Sequence, residues 1–143
     1  MAIGASISPI KSSISRALME NSAVFAIVNG RVHTRHLEDD EAQSAEYPLV
    51  VLSFRTGIRQ YNPVVSYPVF EVWTYSRLSQ GDATDLYDTV AEALQAERFL
   101  LYDKAGTRTG SSIVSETQQG TEGFNPQTRA WFTQSRWLAR TIS

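Results

Sequence analysis

Val69-Phe70-Glu71-Val72-Trp73-Thr74-Tyr75, followed by Ser79-Gln80-Gly81-Asp82 and then by Ala83 to Glu97, decides the fold. The first seven residues are mostly aromatic or β-branched, side chains that pack well on a pleated, half-buried surface, and they predict a strand. Ser79 to Asp82 is turn chemistry, with Asp82 placed to cap a helix by accepting from its free N–H groups. From there Ala83, Leu86, Tyr87, Val90, Ala91 and Leu94 recur at helical spacing as one apolar stripe. Thr84, Asp85, Asp88, Glu92 and Gln95 fall on the other side. A strand running straight into an amphipathic helix predicts a helix laid on one face of a sheet.

Upstream, Tyr47-Pro48 leads into Leu49-Val50-Val51-Leu52-Ser53-Phe54, an almost continuous apolar run that suits a strand covered on both faces. Thr56-Gly57 and Tyr61-Asn62-Pro63 are turn signals. Leu49 to Arg55 and Tyr67 to Tyr75 are therefore expected to form an antiparallel pair with a long tip. Leu37 to Glu46 holds five carboxylates (Glu38, Asp39, Asp40, Glu41 and Glu46) among few apolar residues, and reads as a solvated loop. Arg31 to Arg35 alternates weakly, as a short edge strand would. Nearer the N-terminus, Pro9 opens a short amphipathic helix with Ile10, Ile14, Ala17 and Leu18 on one stripe, ending near Met19. Asn21 or Ser22 caps a second short helix through Val24, Phe25, Ile27 and Val28, which Asn29-Gly30 stops.

Downstream of the long helix, Phe99-Leu100-Leu101-Tyr102 is an apolar patch that packs back on the core. Asp103 to Gly110 reads as a loop and Ser112 to Thr117 as a strand. Gln118 to Gln127, punctuated by Gly and Pro and polar apart from Phe124, reads as a long loop. Thr128 to Ile142 supplies a final strand or two. No internal repeat or linker divides the chain. The expectation is one α+β domain over residues 1–143, a mainly antiparallel sheet with helices packed on one side.

The totals limit what such a domain does. With 143 residues, a fold buries roughly 70% of its extended-chain surface, enough for a core. A formal net charge of −2 argues against a general nucleic-acid binder, which shows a basic excess or stripe. The absence of cysteine removes disulfide frameworks, thiolate zinc sites and cysteine nucleophiles. No apolar run approaches the roughly 20 residues that span a bilayer. Met1 to Ser8 has no basic region ahead of an apolar stretch, so a soluble protein that stays where it is made is expected, without membrane association.

The chemistry-bearing residues are sparse. His33 and His36, followed by Glu38 to Glu41, combine imidazole and carboxylate as divalent-metal sites do. Ligands three residues apart share a face only on a helix, and this stretch lacks helical periodicity, so no metal is assigned. Gly106-Thr107-Arg108-Thr109-Gly110 resembles a phosphate loop but lacks its Gly-Lys-Ser/Thr ending and a following helix. No nucleophile, base and orienting group assemble, and the expectation is a protein that is not an enzyme and holds no cofactor. Arg and aromatic residues outside the predicted core point instead to protein contacts, because they bring large area and planar hydrogen bonding. Arg55, Arg59 and Tyr61 on the long tip, Phe124 in the late polar loop, and Trp131 and Arg136 in the last segment are the candidate interface residues. Trp131 and Trp137 are equally readable as core.

The order of these features resembles a known family. A short helix leads to Ser22-Ala23-Val24-Phe25-Ala26-Ile27-Val28-Asn29-Gly30-Arg31-Val32, and an acidic loop to Tyr47-Pro48-Leu49-Val50-Val51-Leu52. A tip loop is followed by Phe70-Glu71-Val72-Trp73-Thr74-Tyr75-Ser76 and the Asp82 to Leu94 helix. This order is similar to that of the tail-completion, or tail-terminator, proteins of tailed bacteriophages, over roughly Ile10 to Leu94. There, a Val-Gly-Arg-Val turn, a Pro-hydrophobic-hydrophobic strand and a Val-Trp strand entering an Ala/Leu helix follow in turn; here Asn29 stands between valine and glycine.

The resemblance implies a structural virion protein forming a homo-oligomeric, most often hexameric, ring. Such a ring caps the tail tube, contacts the tube protein and the neck and head-completion proteins, and lets DNA through its lumen without specific binding. It would be assembled in the host cytoplasm and reside in the neck of the virion. Carboxylates facing the channel would keep DNA from sticking, with Glu38 to Glu41 or Asp85, Asp88 and Glu92 as candidates. Another neck component, such as a head-closure or adaptor protein, is the nearest alternative. A small dimeric-barrel enzyme or ligand-binding domain using His33 or His36 is the alternative from another class, and would require an apolar pocket with convergent polar groups.

Overall fold

A computed structural model describes residues 8–54, 65–66, 69–95, 98–102 and 107–142. In chain order it contains α1 (Ser8–Glu20), α2 (Ser22–Val28), β1 (Val32–His33), α3 (Asp39–Ser44), β2 (Leu49–Phe54) and β3 (Val65–Ser66). β4 (Val69–Ser76), α4 (Gln80–Gln95), β5 (Arg98–Tyr102), β6 (Arg108–Asn125) and β7 (Ala130–Ile142) follow. The expected strand-to-helix unit is β4 and α4, and the sheet is built around it in the order β1-β2-β4-β7-β6-β5. β2 and β4 pair antiparallel from Leu49 opposite Tyr75 to Phe54 opposite Phe70, and β7 lines the other side of β4. Among the described strands only β1 runs parallel to its neighbour, and β3 pairs with the end of β7. The α+β class and mainly antiparallel sheet match the sequence reading.

Alternation along β4 divides the two sheet faces. Phe70, Val72, Thr74 and Ser76 are buried towards the helices, and the Thr74 hydroxyl donates to the Ala83 carbonyl at 2.8 Å. The α4 stripe (Ala83, Leu86, Tyr87, Val90 and Leu94) lies on this face, joined by Ile10, Ile14 and Leu18 of α1 and Val24 and Val28 of α2. An aromatic row crosses three strands beneath them. Phe54 stacks on Phe70 with centroids 5.1 Å apart, and Phe70 on Trp137 at 6.4 Å.

Local chemistry explains the helix ends. Asn21 caps α2, its side-chain oxygen accepting from the Val24 N–H at 3.1 Å. Asn29 takes the left-handed conformation at φ 50° and donates its N–H to Phe25, while Gly30 follows at φ 82°. An asparagine can therefore serve where glycine is usual. At α4 the expectation is corrected. The helix starts at Gln80, the Ser79 hydroxyl accepts from the Asp82 N–H at 3.1 Å, and Asp82 lies in the first turn, where its charge favours the dipole.

Three further expectations change. Leu37 to Glu46 is not all loop, because Asp39–Ser44 forms α3. Carboxylates three apart at Glu38 and Glu41 make a capping box, and the Glu41 side chain accepts from the Glu38 N–H at 3.4 Å. Phe99 to Tyr102, by contrast, forms a strand, β5, and Phe99 packs into the core as expected. The supposed loop over Gln118 to Gln127 is strand as far as Asn125, and Arg108 to Gly110 also lies in β6. Its glycines do not end the strand. Two register shifts between Glu116 and Thr121 absorb the irregularity, and a Cβ on Gly123 would stand 2.5 Å from the Phe132 ring, so glycine leaves room for a cross-strand aromatic.

Tyr87 joins α4 to the two long strands. Its hydroxyl donates to Glu116 at 2.8 Å and hydrogen-bonds Ser135, which also accepts from the Trp137 indole N–H at 2.8 Å. Burial pushes the Tyr87 phenol up to about 12, and burial does the same at Tyr75. In both, the folded chain favours the neutral phenol relative to the unfolded value of 10.0. Their contribution is therefore complete below about pH 10 and is lost as pH rises through about 12. Urea unfolding across this range is expected to show falling stability, and Tyr87→Phe or Tyr75→Phe should each flatten the fall. Equal slopes in the wild type and both variants would count against this assignment.

Candidate functional site

Of the six candidate interface residues, Arg55, Arg59 and Tyr61 lie outside the described residues. The other three fall into two places. Phe124 on β6 and Trp131 on β7 are cross-strand partners with centroids 5.0 Å apart, edge to face. Phe124 is 47% exposed, while Trp131 is half-buried. They occupy the far end of the β6–β7 hairpin, next to a turn in which Arg129 has φ 56°. Alternation puts Arg136 on the opposite face, its guanidinium 3.6 Å from the Glu71 carboxylate, which also accepts from the Gln134 amide at 3.4 Å. Trp137 is wholly buried, so it belongs to the core.

The face turned away from α4 carries a second aromatic group. Trp73 lies 5.2 Å from Phe132 and 6.1 Å from Tyr75, and the His36 ring meets Trp73 edge-on at 5.4 Å. The two histidines do not converge on one site. His33 lies in β1, its pKa lowered by burial and by Arg35, whereas His36 packs on the indole. Among the described residues, no three His, Asp or Glu side chains are grouped to hold a metal ion. The cavity beside His36 is about 120 Å³ and is lined by Leu37, Leu49, Val51, Tyr75 and Thr128 among others. That volume is well below the roughly 300 Å³ at which small-molecule sites begin.

One end of the molecule is fastened by Arg77. Its guanidinium donates to the carbonyls of Ala42 and Gln43 in α3, at 3.1 and 3.0 Å, and to the Thr128 carbonyl at 3.0 and 3.2 Å. It also lies 4.2 Å over the Tyr47 ring, whose hydroxyl donates to Ala42. The acidic stretch is ordered in turn by Arg35, which binds both oxygens of Glu41 at 3.1 and 2.9 Å and, with the backbone bond from Glu38, holds its carboxyl below the usual range.

A groove of about 510 Å³ runs between α4 and β6, lined by Thr84, Tyr87, Asp88, Glu92, Glu116 and Glu122 among others. The sequence reading missed it because it assigned Glu116 and Glu122 to a strand and a loop. The available signal was the proline-free run from Phe99 to Asn125, rich in Ser and Thr around residues 107–117.

No family model matches this sequence, and no curated protein matches it. The fold, in contrast, has a solved counterpart. It matches a chain in the virion of a native gene transfer agent particle. The TM-score is 0.71 at 11% identity, and the match covers 95% of this chain and 96% of that one. At this identity the likeness is one of fold, and it runs through nearly the whole of both chains.

Proposed function

We propose that this chain is a structural, non-enzymatic virion protein of a tailed-phage-like particle, and within it the tail terminator at the head–tail junction. The observation that carries the virion reading is the nearly full-length likeness of fold to a chain of a gene transfer agent virion. The terminator assignment adds the order of turn, strand, strand and helix from Ile10 to Leu94, which resembles the tail-terminator family. In this reading the subunit forms a closed ring, most often of six copies, that caps the tube and meets the neck proteins. Ring closure needs two different, complementary patches related by rotation. The Phe124–Trp131 pair at one end of the hairpin and the arginine-bearing stretch around Arg55 and Arg59 are the proposed contact elements. The net charge of −2 suits a channel through which DNA slides.

Sedimentation over a wide concentration range, with electron microscopy of any large species, tests the ring. Closed particles of one size with a central channel are the expected result. Phe124→Ala and Arg59→Glu should leave the subunit folded and raise the concentration needed for assembly by about tenfold, equivalent to roughly 1.4 kcal/mol per contact. A compact dimer with a ligand-sized pocket would overturn the ring, and assembly untouched by both variants would remove these residues from the interface.

A further inference from the structure

Beyond Ile113, β6 has β7 on one side and no described strand on the other, because β5 pairs only from Tyr102 back to Arg98. The open edge runs from Val114 to Asn125, with Ser115, Thr117, Gln118 and Thr121 exposed along it. An unpaired edge presents a row of N–H and C=O groups to another chain, and proteins commonly guard such edges with charged side chains (lysine above all), proline, a β-bulge or a covering element. This one contains neither lysine nor proline. Its two register shifts bend the strand without covering it.

The acidic groove lies beside this edge. Asp88, Glu92, Glu116 and Glu122 line it, and none has an ion-pair partner among the described residues. Glu116 and Glu122 are held instead by the hydroxyls of Tyr87 and Thr84. Four carboxylates around one concave surface concentrate negative potential and favour a cationic chain.

The complementary charge occurs in this same sequence. Residues 55–64, Arg-Thr-Gly-Ile-Arg-Gln-Tyr-Asn-Pro-Val, carry two arginines and no carboxylate. They follow Phe54 of β2, which is separated from β6 by β4 and β7. Its attachment point, Phe54 of β2, and the acidic edge of β6 thus belong to different strands of one sheet, and a head-to-tail contact likewise joins two different patches.

We infer that the open β6 edge and its acidic groove accept residues 55–64 of a second copy, laid along the strand with Arg55 and Arg59 against the carboxylates. This inference rests on the ring reading and names the surface that meets the arginine-bearing stretch. It places Asp88 and Glu92 at the joint between subunits, which leaves the α3 carboxylates as the candidates for the channel.

The absence of cysteine allows a direct test. Chains carrying Gln60→Cys are mixed with chains carrying Gln118→Cys and treated with a short, flexible bismaleimide, with Arg16→Cys replacing Gln118→Cys as the control. Cross-links joining residues 60 and 118 of different chains are expected, well above the control. Glu122→Arg in the acceptor should lower their yield about tenfold, and Arg59→Glu in the donor should restore it, as reversal of one charge pair requires. Rings without the 60–118 cross-link would overturn this contact and leave the ring standing. In a further variant carrying both Gln60→Cys and Gln118→Cys, a cross-link confined within single chains would show the stretch lying on its own edge, and would overturn the second copy as occupant. Absence of both rings and cross-links would overturn both readings.

Discussion

Leu94→Asp is expected to yield no soluble protein with a cooperative unfolding transition. Leu94 is 0% exposed, on the last turn of α4, within the cluster that joins α1, α2, α4 and the sheet. Among the described residues the cluster that encloses it is almost wholly apolar, so an ionised carboxylate there would be unpaired. The penalty for such a charge is several kcal/mol, of the same order as the roughly 5–15 kcal/mol that stabilises a whole domain. Leu94→Ala separates charge from volume. It should retain the fold and lose about 2–5 kcal/mol, the range for a leucine truncated in a core. Circular dichroism and urea titration of the two variants read the difference. A soluble, cooperative Leu94→Asp variant would show that the α4 stripe does not face the core.

The second large effect is expected at Trp137. It heads the fully buried side chains by volume, ends the aromatic row with Phe54 and Phe70, and donates its indole N–H to Ser135. Trp137→Ala leaves a void beneath α4 and removes a donor from the Tyr87–Ser135 pair. A loss of about 3–5 kcal/mol is expected, with the urea slope unchanged if the cavity alone is responsible. Trp137→Phe keeps most of the volume and should lose about 1–2 kcal/mol, mainly the indole hydrogen bond. Equal stability of the alanine variant and the wild type would place Trp137 outside the core.

The parts of the fold written in a period were readable from the residues. β4 and α4 carry periods of two and 3.6 that agree with burial, and the β2–β4 pairing follows from two apolar runs separated by turn residues. What escaped reading depends on partners distant in the chain. α3 is short and polar, and its position is set by Arg77 and Tyr47 rather than by an apolar stripe. The length of β6 is fixed by β7, which tolerates Gly120 and Gly123 because register shifts and the Phe132 ring accommodate them. The same cause governs the candidate surfaces. Phe124 was readable as exposed, but only the strand pairing sets it on Trp131 and puts Arg136 on the other face. Trp131 and Trp137 fall on the same face of β7 and differ in position along it, opposite Ser76 and Phe70, so sequence alone left both open to either reading.

The Arg77 fastening has a consequence for whatever meets that end of the subunit. Gln43 adds a bond from its side chain to the Gln127 carbonyl at 3.4 Å, so the acidic helix and the β6–β7 turn are tied to one another from two directions. Ordering a mobile segment at the moment of contact subtracts about 0.5–1.5 kcal/mol for every side chain that must be frozen. Here a single guanidinium has already done that ordering during folding. A partner approaching this end meets a mould already set, and more of the contact energy is left for adhesion.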